Sequence, residues 1–121
     1  MTLEEYQSRA METCAKSSEN FAYMFLNLVG ELGEFAGKVA KAIRKETAMI
    51  DYNCLATERG INCMSNQEIR DLRNEAGDCL WQLSGLCTVM GWSLENIAQG
   101  NLAKLASRQE RGKIIGEGDN R

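Results

Sequence analysis

Apolar residues recur at steps of three and four along most of this chain, the spacing that keeps side chains on one face of a helix. Between Asn20 and Lys45 they fall at Phe21, Phe25, Leu28, Leu32, Phe35, Val39 and Ile43, which predicts one long second helix. At 1.5 Å per residue it would run roughly 39 Å, more than a lone protomer of this size covers easily. A first helix starts at the capping box Thr2-Leu3-Glu4-Glu5 and fades near Lys16, where Ser17-Ser18-Glu19-Asn20 breaks it. Ser65-Asn66-Gln67-Glu68 is a second capping box and opens a third helix. Its apolar stripe is Ile69, Leu72, Ala76, Leu80, Leu83, Leu86 and Met90, and Gly91 supplies a stop. Ser93 caps a fourth helix from Leu94 to about Arg108, with Leu94, Ile97, Leu102 and Leu105 apolar.

Two stretches lose the pattern. Thr47 to Met64, with Asp51, Asn53, Gly60 and Asn62, predicts a loop with at most one short helical turn. Residues of that loop are expected either to move or to reach a neighbouring subunit. Gly112 to Arg121 holds three glycines and four charges and predicts a non-helical tail. With no composition shift along 121 residues, the chain reads as a single all-α domain spanning 1–121. It would be a helical bundle of about four to five helices, with a four-helix-bundle core completed by dimerisation, because the stripes are broader than four helices around one short seam can cover.

Composition narrows the chemistry. Proline and histidine are absent, so long helices meet no obstacle, and Ser-His-Asp, Cys-His and imidazole-dependent metal sites are excluded. Acid–base work is left to carboxylates, cysteines, lysines, tyrosines or a metal-bound water. Fourteen Lys plus Arg against 17 Asp plus Glu give a net charge of −3, a poor footprint for stable nucleic-acid binding. The five cysteines, Cys14, Cys54, Cys63, Cys79 and Cys87, are odd in number without CxxC spacing. They read as reduced thiols packed as small hydrophobes. With no apolar leader and no apolar run of membrane-spanning length, the expectation is a cytoplasmic protein with no membrane partner.

Two acidic pairs stand out. Glu31 and Glu34 lie three residues apart in the second helix, and Glu75 and Asp78 repeat that spacing in the third. A step of three turns the helix by about 300°, so each pair projects side by side. Taking Leu28 and Phe35 as the core direction, Glu31 lies about 60° away and Glu34 about 120° away, flanking the packing seam. If the helices are antiparallel neighbours, four carboxylates converge and repel unless a cation neutralises them. Oxygen-only donors suit Mg²⁺, with Mn²⁺ as substitute. Gly30, Gly33, Gly37 and Gly77 beside the pairs each cost the helix about 1 kcal/mol against alanine, which close approach of a helix or ligand would repay. Solvated helix faces and simple helix packing are the bland alternatives for both features. Asn101, Lys104, Arg108 and Arg111 form a polar stripe on the fourth helix that supplies the charge a triphosphate needs, if it faces the carboxylates. Tyr6, Phe21 and Trp81 are candidates for base stacking, each equally at home in a core.

On these residues the chain resembles the MazG-like nucleoside triphosphate pyrophosphohydrolases of the all-α NTP pyrophosphatase superfamily. The resemblance is carried by Gly30-Glu31-Leu32-Gly33-Glu34-Phe35-Ala36-Gly37-Lys38, by Asn74-Glu75-Ala76-Gly77-Asp78-Cys79-Leu80-Trp81, and by the segments Asn101–Gly112 and Gly116–Arg121. Residues 35–74 separate the two acidic motifs, a longer spacing than the family's usual one, so 47–64 reads as an insertion. The resemblance implies that Glu31, Glu34, Glu75 and Asp78 hold Mg²⁺ and carry catalysis. It also implies that Asn101, Lys104, Arg108 and Arg111 bind substrate phosphates. The implied reaction is cleavage of an NTP or dNTP between the α and β phosphates to a nucleoside monophosphate and pyrophosphate, by a homodimer or homotetramer. The alternative is a catalytically silent helical oligomer serving as a nucleotide- or protein-binding module.

Overall fold

A computed structural model describes residues 1–51, 54–56 and 64–119. Asn53, Gly60, Asn62 and Cys63 of the predicted loop, and Asn120 and Arg121 of the tail, lie outside the described residues. Four helices carry the fold: α1 (Leu3–Met11), α2 (Phe21–Arg44), α3 (Asn66–Val89) and α4 (Leu94–Glu110). A 3-10 turn, Lys16–Ser18, occupies the predicted break after α1. One correction concerns the stretch read as a loop. Two short antiparallel strands, β1 (Met49–Asp51) and β2 (Cys54–Ala56), pair there with Ile50 opposite Leu55.

Local chemistry sets the helix ends. Thr2 and Ser65 each form a full capping box, with Glu5 and Glu68 respectively, while Asn20 and Ser93 cap α2 and α4. Three C-termini close in the same way, by an N–H reaching back five residues across a left-handed residue. Trp92 N donates to the Cys87 carbonyl past Gly91 (φ 71°), and Lys113 N donates to the Arg108 carbonyl past Gly112 (φ 63°). After α2 the left-handed position is Glu46 (φ 59°), where Thr47 N donates to the Ala42 carbonyl at 2.9 Å.

The most extensive packing is between α2 and α3; α1 lies against α3 and also touches α4. Gln7 fastens α1 to the α3–α4 turn: its amide donates to Thr88 Oγ1 and the Trp92 carbonyl, and its carbonyl accepts from Leu94 N. The indole N–H of Trp81 donates to the Ala10 carbonyl and Thr13 Oγ1, which makes Trp81 a clasp for α1. A small apolar cluster of Ala42, Ala48, Met64 and Leu72, with Val39 and Ile69 against it, closes the end of the α2–α3 pair next to the hairpin.

The faces that meet overlap the predicted apolar stripes only in part, at Leu28, Val39, Ile69 and Leu72. On α2 the buried residues are Met24 and Ala42, with Leu28, Glu31 and Lys38 half-buried between them. Phe21, Phe25, Leu32, Phe35 and Ile43 keep between 37% and 57% of their surface. On α3, Leu72, Glu75 and Gln82 are buried, whereas Leu80, Leu83 and Met90 are exposed. The seam between the long helices is therefore mixed, and the richer apolar stripes remain on the outside of the protomer. Nor does close approach occur at Gly33, Gly37 or Gly77, where a Cβ would meet open space; the tight contact is at Gly85, against Met24.

Candidate metal centre

Heptad spacing explains how carboxylates enter the α2–α3 seam. Met24, Leu28, Glu31, Phe35, Lys38 and Ala42 follow one another at alternating steps of four and three, so Glu31 shares its face with buried Met24 and Ala42 and half-buried Leu28, while Phe35 stands at the edge of that face and stays exposed. On the facing helix Leu72 and Glu75 stand at a step of three, and both are buried. Glu31, Glu34 and Glu75 each bring one carboxylate oxygen to within 4.8 Å of the others. Two elements thus contribute donors to one point, with Glu31 half-buried, Glu34 exposed and Glu75 only 8% exposed.

Each carboxylate has a distinct environment. Glu31 Oε1 accepts a hydrogen bond from Asn27 Nδ2 at 3.0 Å, one turn back on the same helix. Its pKa is raised above the ordinary 4.5, chiefly by burial, then by the charges of Glu34, Asp78 and Glu75. The bond from Asn27 opposes that rise without cancelling it. Glu75 Oε1 is engaged by Lys38 Nζ at 3.1 Å. Asp78 is exposed and stays outside the three-oxygen group, yet its charge reaches Glu31, Cys79 and, across on α1, Tyr6. Burial and that charge both push the Tyr6 hydroxyl upward.

The rise at Glu31 fixes the sign of a pH effect. A carboxyl whose folded pKa exceeds its unfolded one contributes stability below the unfolded value and loses it as pH climbs through the folded value. In metal-free protein, Glu31→Gln is expected to retain stability that the parent loses as pH climbs from the ordinary carboxyl value of 4.5 through its raised one. Urea unfolding of both chains in chelator across that interval checks this; parallel profiles would contradict it.

The predicted phosphate stripe lies on α4 (Leu94–Glu110) and the residue that caps it. The main packing partner of α4 is α1, and the cations of α4 that are engaged contact the C-terminal tail and their own helix. Arg108 is buried, and its Nη2 donates to Asp119 Oδ1 at 3.2 Å, to the Asp119 carbonyl at 3.0 Å and to the Gly118 carbonyl at 3.5 Å. Lys104 Nζ lies 3.4 Å from the same Asp119 carboxylate, whose pKa is held down first by the Arg108 hydrogen bond. Asn101 is exposed, and Arg111 Nε donates to Ser107 Oγ. The stacking candidates also separate. Phe21 stacks on Phe25 at 5.7 Å and borders a cleft of about 350 Å³ between the start of α2 and the end of α3; Trp81 is committed to α1.

Sequence reasoning gave no role to Lys38, although it stands two turns from Glu31 on one helical face; that spacing was the available signal. Gln82 was missed as well. It is 3% exposed with a carbonyl oxygen that finds no partner among the described residues.

Fold and site together define a four-helix scaffold with one short hairpin that presents an ExxE pair and the first acid of an ExxD pair across one antiparallel seam. The chain belongs to the MazG nucleotide pyrophosphohydrolase family, whose domain matches residues 19–112. Membership implies a hydrolase acting on nucleotides. The chain is also 36% identical to the "Gene 37 protein" of Mycobacterium phage L5 over 129 aligned positions, covering the full length of both. No solved structure matches it. Among the described residues, no helix is long and apolar enough to cross a membrane.

Proposed function

We propose that this protein is a Mg²⁺-dependent nucleoside triphosphate pyrophosphohydrolase, cleaving between the α and β phosphates to yield a nucleoside monophosphate and pyrophosphate. The observation that carries the reading is the convergence of Glu31, Glu34 and Glu75 inside the family-matched segment. An all-oxygen, doubly hydrogen-bondable donor set with one desolvated member fits a hard divalent ion. Glu31, Glu34 and Glu75, with Asp78 at the rim, would hold it. Bound there, such an ion supplies neutralisation of triphosphate charge and acidifies water. The residues do the rest: the carboxylates orient the attacking water and accept its proton, and Asn27 fixes the Glu31 carboxylate in place.

Oligomerisation belongs to the same proposal. The exposed stripe Phe21, Phe25, Leu32, Phe35 and Ile43, with Leu80 and Leu83 on α3, is apolar surface of the kind a second protomer buries. A homodimer, or a pair of dimers, is also the arrangement that can bring a partner's α4 cations to the carboxylates. Sedimentation is expected to give a species larger than 13.5 kDa at micromolar concentration; a stable monomer would contradict it. The function itself is tested by pyrophosphate release from a panel of NTPs and dNTPs, with and without Mg²⁺. Release from none of them would favour the binding-module alternative.

A further inference from the structure

Three lysines outside the carboxylate set lie together at the end of α2. Lys38, Lys41 and Lys45 line a cavity of about 110 Å³, shared with Glu68 and Asp71 of α3. The two acids already have hydrogen-bond donors. Glu68 accepts from Ser65 N at 2.8 Å and from Thr47 Oγ1 at 3.2 Å, and Asp71 accepts from Gln67 Nε2 at 2.7 Å. Lys41 and Lys45 make no ion pair among the described residues. Of the three ammonium groups in the cavity, Lys38 is paired with Glu75, while Lys41 and Lys45 have no contacting carboxylate among the described residues.

Lys38 belongs to both places. It lines the cavity, and its Nζ rests 3.1 Å from Oε1 of Glu75, whose carboxylate contributes one of the three converging oxygens. An ammonium and a divalent ion on the same carboxylate repel each other, so an ion entering the group expels Lys38. The side chain is 38% exposed and has the cavity beside it to enter. A triphosphate gripped at the carboxylates must send its terminal phosphates away from those negative charges. Along α2 the positive charges that line the cavity are Lys38, Lys41 and the C-cap Lys45, and an ammonium with three donors is suited to phosphate oxygens.

We propose, resting on the function proposed above, that this cavity is the subsite for the pyrophosphate end of the substrate. In it Lys38 is a movable counter-cation, seated on Glu75 before the metal arrives and on phosphate afterwards.

The test is calorimetric titration of the full chain with Mg²⁺ alone, and with inorganic pyrophosphate in saturating Mg²⁺. It compares the parent, Lys38→Gln and the double variant Lys41→Gln/Lys45→Gln, with circular dichroism verifying that each is folded. The double variant is expected to bind Mg²⁺ as the parent does and pyrophosphate at least tenfold more weakly. Lys38→Gln is expected to bind Mg²⁺ severalfold more tightly, its competitor being gone, yet pyrophosphate more weakly. Parent-like pyrophosphate affinity in the double variant, a parent that binds no pyrophosphate, or unchanged or weaker Mg²⁺ affinity in Lys38→Gln would each overturn the proposal. Nucleotide hydrolysis is assayed apart from these titrations, so the two readings fail separately. A parent that hydrolyses no nucleotide while these titrations behave as expected loses the function and keeps the subsite. One that hydrolyses nucleotides, with an unchanged KM in the double variant, loses the subsite and keeps the function.

Discussion

Glu34→Gln and Glu75→Gln are expected to reduce hydrolysis by at least about a hundredfold while leaving the helices folded, since even outer-shell changes at metal sites cost about ten- to a hundredfold. Both substitutions keep size and hydrogen-bonding capacity and remove only charge. Glu34 is exposed, so its neutral form carries no burial penalty, and Lys38, released from Glu75, is open enough to be solvated. Without metal the variants should melt at or above the parent temperature, because one of several converging negative charges is gone. Mg²⁺ at a hundred times its dissociation constant stabilises a one-site protein by about 2.7 kcal/mol, on the order of 10 °C for a domain of this length. That shift should appear in the parent and shrink sharply in both variants and in Asp78→Asn. Melting curves with Mg²⁺, repeated with a non-hydrolysable triphosphate, provide the measurement. A shift of equal size in all four chains would exclude a shared metal site. Carboxylates merely solvated on helix faces would instead tolerate the same changes within about 0.5 kcal/mol.

The second large effect lies where α2 and α3 touch. Met24 is fully buried, and a Cβ at Gly85 would overlap its Sδ and Cε. Met24→Ala is expected to cost about 2–5 kcal/mol, a large share of the roughly 5–15 kcal/mol that holds a domain of this kind together. Gly85→Ala should cost about 1–3 kcal/mol by overpacking, less whatever the better helix propensity of alanine returns. Together the two changes should cost less than their sum, since the new methyl occupies space the methionine vacates. Urea unfolding of the four chains gives the coupling directly. Strict additivity would mean that the helices do not meet at this point.

Helix positions were legible in the chain because caps and stops act over a few residues: Thr2, Ser65, Ser93 and Gly91 perform the parts their spacing predicts. The hairpin was not, since strands of three residues fall short of the length over which alternation shows. The facing of the long helices was also hidden. Phe21, Phe25, Leu32 and Ile43 are more apolar than Glu31 and Lys38, so a stripe drawn by hydrophobicity is rotated about a quarter turn away from the face of α2 that meets α3. Pairing between Lys38 and Glu75, and the bond from Asn27 to Glu31, let polar groups occupy the seam. The acidic motif was readable for the opposite reason. Its chemistry is written in residue types and intervals, and Glu31, Glu34 and Glu75 meet once the helices are antiparallel. Where Arg108 points was beyond reach, because it depends on a tail with no periodicity at all.

That tail gives α4 a property of its own. The Arg108 guanidinium already holds an anion, the side chain of Asp119 eleven positions on in the same chain. Any external anion reaching it must exchange for a tethered one, whose effective concentration over so short a span is on the order of millimolar. Exchange of one anion for another leaves the local charge balance nearly unaltered, so this helix should respond to ligand as a threshold element. Dilute anions leave the tether in place, and only a ligand anchored elsewhere on the protein competes with it on equal terms.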